Sequence, residues 1–181
     1  MQQIETGLRQ PQNRDAVFLW LYATDGKPYA KYLASPNPEL VVPMIFIQLR
    51  WDGVFGTVGG KVDPGESLLE ALKRETQEEI GYAIPTGAEV EPFSTFEREG
   101  WHIHAYRLQL TYDELLEVRN RAHLAEHAGS EVSGYNLVHA IDYRPDSDKP
   151  RGIRAFLQNR FSATAKLELE LLLKHLNISI A

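Results

Sequence analysis

Glu75, Glu78 and Glu79 crowd together directly behind Arg74 in the run GGKVDPGESLLEALKRETQEEIG, from Gly59 to Gly81. Successive helical residues advance by 100°, so with Glu75 at 0° Glu78 falls at about −60° and Glu79 at about 40°. The three carboxylates then share an arc of roughly 100°, beside the stripe of Leu68, Leu69, Leu72 and Ile80, while Glu70 points away. At an effective dielectric near 20, two carboxylates 6 Å apart repel by about 3 kcal/mol. Such a face is either solvated, as most glutamate-rich helix faces are, or built to hold a cation. Hard divalent cations prefer oxygen ligands, and Mg²⁺ held by only a few carboxylates keeps waters that phosphate oxygens can replace. The chemistry within reach is metal-assisted attack of water on a phosphate.

The flanking residues must position that helix. Gly59 and Gly60 read as a glycine-rich loop just after a strand, where backbone groups can approach a ligand closely. Asp63-Pro64-Gly65 is a turn that brings Glu66 back toward the helix start. Ser67 with Glu70 forms a capping box, and Gly81 is a C-terminal stop. Upstream, AVFLWLYA (Ala16–Ala23) and MIFIQLRW (Met44–Trp51) read as buried strands closed by Asp25-Gly26 and Asp52-Gly53. A loop with three prolines, Ser35–Pro43, separates them, and residues 1–14 read as a loose polar lead-in. Downstream come strands at 89–97 and 101–110, then a helix over 113–127 capped by Thr111 and Glu114. A strand over 131–141 follows. An amphipathic helix from Ala163 to Leu176 closes the chain, with Ala165, Leu169, Leu172, Leu173 and Leu176 inward. With no repeat and no linker, this order predicts one α/β domain over residues 1–181.

Composition narrows the classes. A hydrophobic content of 43% and a charged content of 24% over 181 residues are globular values. No apolar run is long enough to span a membrane, and the N-terminal residues lack the core of a secretory signal. Zero cysteines exclude disulfides, thiolate metal sites and a Cys nucleophile, so the expected location is cytoplasmic. A net charge of −6 argues against broad electrostatic capture of nucleic acid. It leaves room for a local basic groove, for which Arg144, Lys149, Arg151, Arg154 and Arg160 are candidates.

Gly60, Glu66, Arg74, Glu75, Glu78, Glu79 and Gly81 match every invariant position of the Nudix box, GX5EX7REUXEEXGU. Chance would produce this in about one chain per million. Thr76 and Tyr82 stand where that box usually has aliphatic residues, which weakens packing without touching the glutamates. The chain thus resembles the Nudix hydrolases, which fold as an α/β/α sandwich around a mixed β-sheet and use divalent metal, commonly Mg²⁺, with Mn²⁺ as a substitute. The resemblance implies that Glu78 and Glu79 hold metal, with Gly60 adding its carbonyl. It makes Glu75 a ligand or the general base, and has Arg74 and Glu66 hold Glu75 in place. QLRWDGVFGTVGGKVD, LQLTYDELLEVR, HAGSEVSG and RAFLQNRFSATAK further resemble the Nudix subgroup that includes the nucleolar small-RNA decapping enzyme, also an inosine diphosphatase.

By that analogy Glu131 is a candidate extra carboxylate near the metal, and Arg50 a candidate phosphate contact. Phe18, Thr57 and Glu168 stand where the decapping enzyme has His, Phe and Gln, which implies a changed base preference. Phe18 could still stack on a base, although a core aromatic is the commoner fate. His102 and His104 share one face of a strand at a spacing that can bind metal. With no third ligand next to them in sequence, they read as solvent-facing; they, Trp51 and Trp101 receive no role. The expected activity is pyrophosphate hydrolysis of a small nucleotide substrate, such as a purine nucleoside di- or triphosphate, ADP-ribose or a dinucleoside polyphosphate. Removal of a cap from an RNA 5′ end is the alternative. A Nudix-fold module that senses a nucleotide without cutting it is a third reading, disfavoured because such modules usually lose box glutamates. The sequence admits a homodimer.

Overall fold

The run RDAVFLWLYA is apolar at nearly every position after its first two, which suits a strand covered on both faces. The computed structural model describes residues 1–6, 14–27, 39–143 and 148–179, and this run is its central strand. The strands are β1 (Gln2–Ile4), β2 (Arg14–Ala23), β3 (Met44–Arg50), β4 (Phe55–Gly56), β5 (Val58–Lys61), β6 (Glu91–Arg98), β7 (Trp101–Gln109) and β8 (Val132–His139). Helices α1 (Leu68–Ile80), α2 (Tyr112–Arg121), α3 (Ile153–Phe156) and α4 (Ala165–His175) accompany them, with a 3₁₀ turn at Ala122–Leu124. The main path of the sheet runs β1-β6-β7-β2-β3-β4, with β5 added to β2 and β8 to β3. The sheet is mixed, because β2 lies parallel to β7 from Arg14↔Trp101 to Tyr22↔Gln109 and antiparallel to β3 and β5.

Alternation along β2 divides the core. Val17, Leu19, Leu21 and Ala23 pack with Ala71, Leu72 and Ile80 of α1 and Leu115 and Val118 of α2. Trp20 and Tyr22 pack on the other face with Ile153 of α3 and Leu169, Leu172 and Leu173 of α4. This is an α/β/α sandwich, as the resemblance implies.

Several expectations change. The lead-in contributes a strand, because Gln2–Ile4 pairs with Glu97, Phe96 and Thr95 of β6. Gly59 and Gly60 lie in strand β5, paired with Phe18 and Val17, rather than in a loop after a strand. The second capped helix ends at Arg121, six residues short of its predicted end at 127, because Ala122–Leu124 tightens to a 3₁₀ turn. His104 is buried rather than solvent-facing, its ring lying between Thr95 of β6 and Asp15 of β2. Residues 7–13, Ser35–Pro38 of the proline-rich loop, and Arg144 lie outside the described residues. Among the described residues, no helix is long and apolar enough to cross a membrane.

Helix α1 is held at both ends. The Ser67 side chain accepts from the Glu70 amide and the Glu70 carboxylate from the Ser67 amide, as the capping box predicts. Left-handed Gly81 returns its N–H to the Gln77 carbonyl at 3.0 Å. The buried face of α1 is narrower than its leucines suggest, for Leu72 is fully buried but Leu69 is 46% exposed. Position 69 falls 60° from position 72 on the wheel, outside the contact with β2. Leu72→Ala should therefore cost about 2–5 kcal/mol in urea unfolding, and Leu69→Ala about 0.5 kcal/mol or less.

Candidate active site

The geometry of the site begins with Arg74. Its Nε and Nη2 donate to the two oxygens of Glu66, each at 3.0 Å, in a bidentate pair. Nη1 donates to Glu75 at 2.8 Å and to Glu78 at 3.2 Å, and Nη2 reaches the Lys61 carbonyl at 3.0 Å. One planar cation thereby orders three carboxylates and the end of β5. Glu66 also accepts from the Asp63 amide at 3.1 Å, which closes the Asp63-Pro64-Gly65 turn.

Glu79 is anchored separately. It accepts from the Gly59 amide at 3.1 Å and from Gln48 at 3.3 Å. The Tyr135 hydroxyl donates to the Glu79 backbone carbonyl at 3.0 Å, tying the end of α1 to β8. Gly60 faces Glu75 so closely that a Cβ there would stand 2.5 Å from a carboxylate oxygen, so any side chain at this position would push the Glu75 carboxylate aside.

Burial sets the electrostatics. Desolvation pushes the Glu79 carboxyl up to about 7, against the pull of its two hydrogen bonds. Glu75 is also raised, first by desolvation, although Arg74 opposes this. Arg74 is held still more firmly in its charged form, chiefly by its hydrogen bonds to Glu66. Carboxylates that resist ionisation for want of a cation suit a hard divalent ion. The donor set, all oxygen, and the close approach at Gly60 fit one.

Glu75, Glu79 and Gly60 lie on the wall of a cleft of about 810 Å³, together with Phe18, Gln48, Arg50, Thr57, Lys61, Trp101 and Glu131. Six of the sequence candidates thus share the cleft, whereas Glu78, Arg74 and Glu66 do not line it and are joined to Glu75 through the Arg74 hydrogen bonds. Phe18 faces the cleft rather than the core. Arg50 donates to Glu131 at 3.0 Å and lies 3.4 Å from Asp52, both pairs at the surface. Thr57 is buried with its hydroxyl on the Leu19 carbonyl, and Glu168 lies fully buried behind, bonded to Trp20 and Thr164. None of Lys149, Arg151, Arg154 and Arg160 lines the cleft, and Arg154 is paired with Asp142.

Gln48 and Lys61 were missed as site residues, and Trp101 was left without a role. Gln48 reads as an ordinary position in a buried strand; its polarity amid MIFIQLR was the available signal. Trp101 carries Arg14 and Lys61 over its ring at 5.9 and 5.8 Å, an arrangement set by strand pairing and invisible locally. Trp51 lies outside the cleft, its indole donating to Gly129 at 3.0 Å.

A mixed sheet between two helical layers, with a Gly-turn-Glu segment feeding this carboxylate helix, defines a Nudix hydrolase, an enzyme of the pyrophosphohydrolase class. The family model described as "Nudt16-like: U8 snoRNA-decapping enzyme-like" matches residues 16–179, and the chain belongs to that family. It is 34% identical over 148 residues to the U8 snoRNA-decapping enzyme of Mus musculus, covering 76% of this chain and 74% of that one. It is 36% identical over 155 residues to the Tudor-interacting repair regulator protein of Homo sapiens, covering 81% and 71%. A MutT/nudix family structure from Listeria innocua superposes with a TM-score of 0.61 at 14% identity, over 93% of this chain and 96% of that one. That likeness concerns the fold alone.

The position of Glu79 predicts a pH signature. Its carboxyl titrates near 7 in the fold against an ordinary value of 4.5, so the folded state holds the extra proton between them. Stability from this group is complete below about 4.5 and is lost as pH rises through about 7, by no more than about 3 kcal/mol. In chelator, Glu79→Gln should therefore melt higher than the parent at pH 8 and close to it at pH 4.5. Differential scanning calorimetry at the two pH values checks this.

Proposed function

We propose that the protein hydrolyses the pyrophosphate linkage of a small nucleoside diphosphate derivative in the cleft between β2, β5 and α1. The observation that carries this reading is the meeting of Glu75, Glu79 and Gly60 with Phe18 and Arg50 on one cleft wall. Glu75, Glu78, Glu79 and the Gly60 carbonyl are the groups that would hold Mg²⁺, or Mn²⁺ in its place, with Glu131 as a further carboxylate at the mouth. Bound there, the metal would acidify water and neutralise charge growing on phosphate oxygens.

The protein's own residues supply the remainder. Glu75, poised by burial, accepts the proton of the attacking water or completes the ligand set. Arg74, clamped by Glu66, keeps Glu75 from swinging away. Arg50 offers a cation to a phosphate at the cleft mouth by exchanging its surface pair with Glu131, a contact of little intrinsic strength. Phe18 offers a face on which a base can stack.

A second reading, release of the cap nucleotide from an RNA 5′ end, is favoured by relatives named U8 snoRNA-decapping enzymes. Lys61 and Arg98 on the cleft wall could follow a continuing phosphate chain. The net charge of −6 weighs against extended RNA contact. The intact box glutamates favour both readings over a purely binding module.

A panel of purine nucleoside di- and triphosphates, ADP-ribose, dinucleoside polyphosphates and a short capped RNA, each with Mg²⁺ and Mn²⁺, tests the proposal. Metal-dependent release of a nucleotide is expected from at least one small substrate, and turnover of capped RNA alone would move the assignment to the second reading. Glu75→Gln should lower kcat by about 10²–10⁴-fold if it is the base. A loss of metal affinity with kcat restored at high metal would make it a ligand. Phe18→Ala should raise KM by about 5- to 100-fold, the worth of one base stack. Turnover of nothing in the panel would overturn the proposal.

A further inference from the structure

We propose a second metal site, formed by Asp15, His102 and His104, that takes a transition-metal dication such as Zn²⁺. One ligand atom from each of these residues lies within 4.8 Å of the other two. The trio is a product of strand pairing. The parallel register of β2 and β7 sets Asp15 opposite His102 and Val17 opposite His104, so a carboxylate meets two imidazoles 87 and 89 positions later in the chain. Neighbours along a strand point to opposite faces. Ala16, Trp101 and Ile103 line the cleft, so the trio projects from the other face, the one that carries Val17 and packs on α1, and none of its three members lines the cleft.

The chemistry of the donors selects the ion. One carboxylate oxygen with two imidazole nitrogens suits Zn²⁺, Co²⁺ or Ni²⁺, whereas Mg²⁺ seeks an all-oxygen shell. Asp15 and His104 are almost fully buried, and His102 is partly exposed and supplies the way in. The two imidazole rings stand 6.3 Å apart at 74°, edge to face rather than stacked. His104 Nε2 lies 2.9 Å from Asp15 Oδ1, and its Nδ1 lies 3.1 Å from the Thr95 hydroxyl. Without metal, Nε2–H donates to Asp15 and Nδ1 accepts from the Thr95 hydroxyl; a bound cation would displace the Nε2 proton and turn Nδ1–H toward Thr95. Thr95 then plays the outer-shell part that fixes ring orientation in many histidine metal sites. Three protein ligands leave a position for water.

The site would also reach the box mechanically. The Val62 amide donates to the Asp15 carbonyl at 2.9 Å, so metal at Asp15 would brace the segment that leads from β5 into the Asp63-Pro64-Gly65 turn and Glu66.

Chelator-treated protein in saturating Mg²⁺, titrated with Zn²⁺ against a chromogenic chelator, tests the proposal. One Zn²⁺ per chain is expected. His102→Ala, at a partly exposed position, should weaken Zn²⁺ binding by about a hundredfold or more while circular dichroism stays native. Asp15→Asn serves as a second variant and should also weaken it. Co²⁺ should give the visible bands of a four-coordinate nitrogen–oxygen site, absent in His102→Ala. No Zn²⁺ binding in the presence of Mg²⁺, or binding unchanged in a folded His102→Ala protein, would overturn the site and leave the trio as a proton-bridged Asp–His pair.

Discussion

The site depends on one guanidinium. Without Arg74, Glu66, Glu75 and Glu78 would repel one another across the junction of β5 and α1, and the Asp63-Pro64-Gly65 turn would lose its charged tie to the helix. Its five hydrogen bonds use both edges of the fork and fix three carboxylates in orientation as well as in charge. A lysine could supply the charge but not the fork, because an ammonium cannot hold Glu66 in the bidentate plane while reaching Glu75. Glu79 escapes this control. It is more desolvated than Glu75, and its counterweight is a backbone amide and an amide side chain, neither of which carries charge.

The same arrangement explains why α1 tolerates an unusual buried threonine. Thr76, where the box usually has an aliphatic residue, is fully buried, and its hydroxyl donates to the Leu72 carbonyl at 2.6 Å. That bond satisfies the one group that would make threonine costly in a core, leaving its methyl to pack. Tyr82 packs its ring on the margin of the same cluster. Neither departure disturbs the register between Gly60 and Glu75, on which the approach of strand to helix rests.

Much of this was legible before any coordinates. The spacing of the box residues names the chemistry, and the capping box, Gly81 and the leucines define α1 to within a residue. Local sequence could not reveal what distant strands bring together. Nothing around Gln48 marks it as the partner of Glu79, and nothing around His104 marks it as the neighbour of Asp15. Both follow from strand register, a long-range property. Leu69 misled because a wheel shows which residues could face inward, not how wide the neighbouring surface is. The polar N-terminal residues hid β1 because an edge strand needs little apolar content: its burial pattern is exposed, exposed, intermediate.

Substrate choice falls to the walls rather than the helix. Phe18 and Thr57 both face the cleft, but Thr57 gives its hydroxyl to the Leu19 carbonyl and has little left to offer a base. Glu168 is taken further from recognition, since Trp20 and Thr164 both donate to it and burial raises its pKa. A carboxyl committed in this way braces α4 against β2 and reads no ligand. On the proposed reading, base contact would rest on the apolar ring of Phe18 and the cation-flanked ring of Trp101, both of which suit stacking. Stacking discriminates weakly among bases because every base has a π face. On that reading such a site would draw its selectivity from the phosphate end, at Arg50, Lys61 and the carboxylates, more than from the identity of the nucleobase.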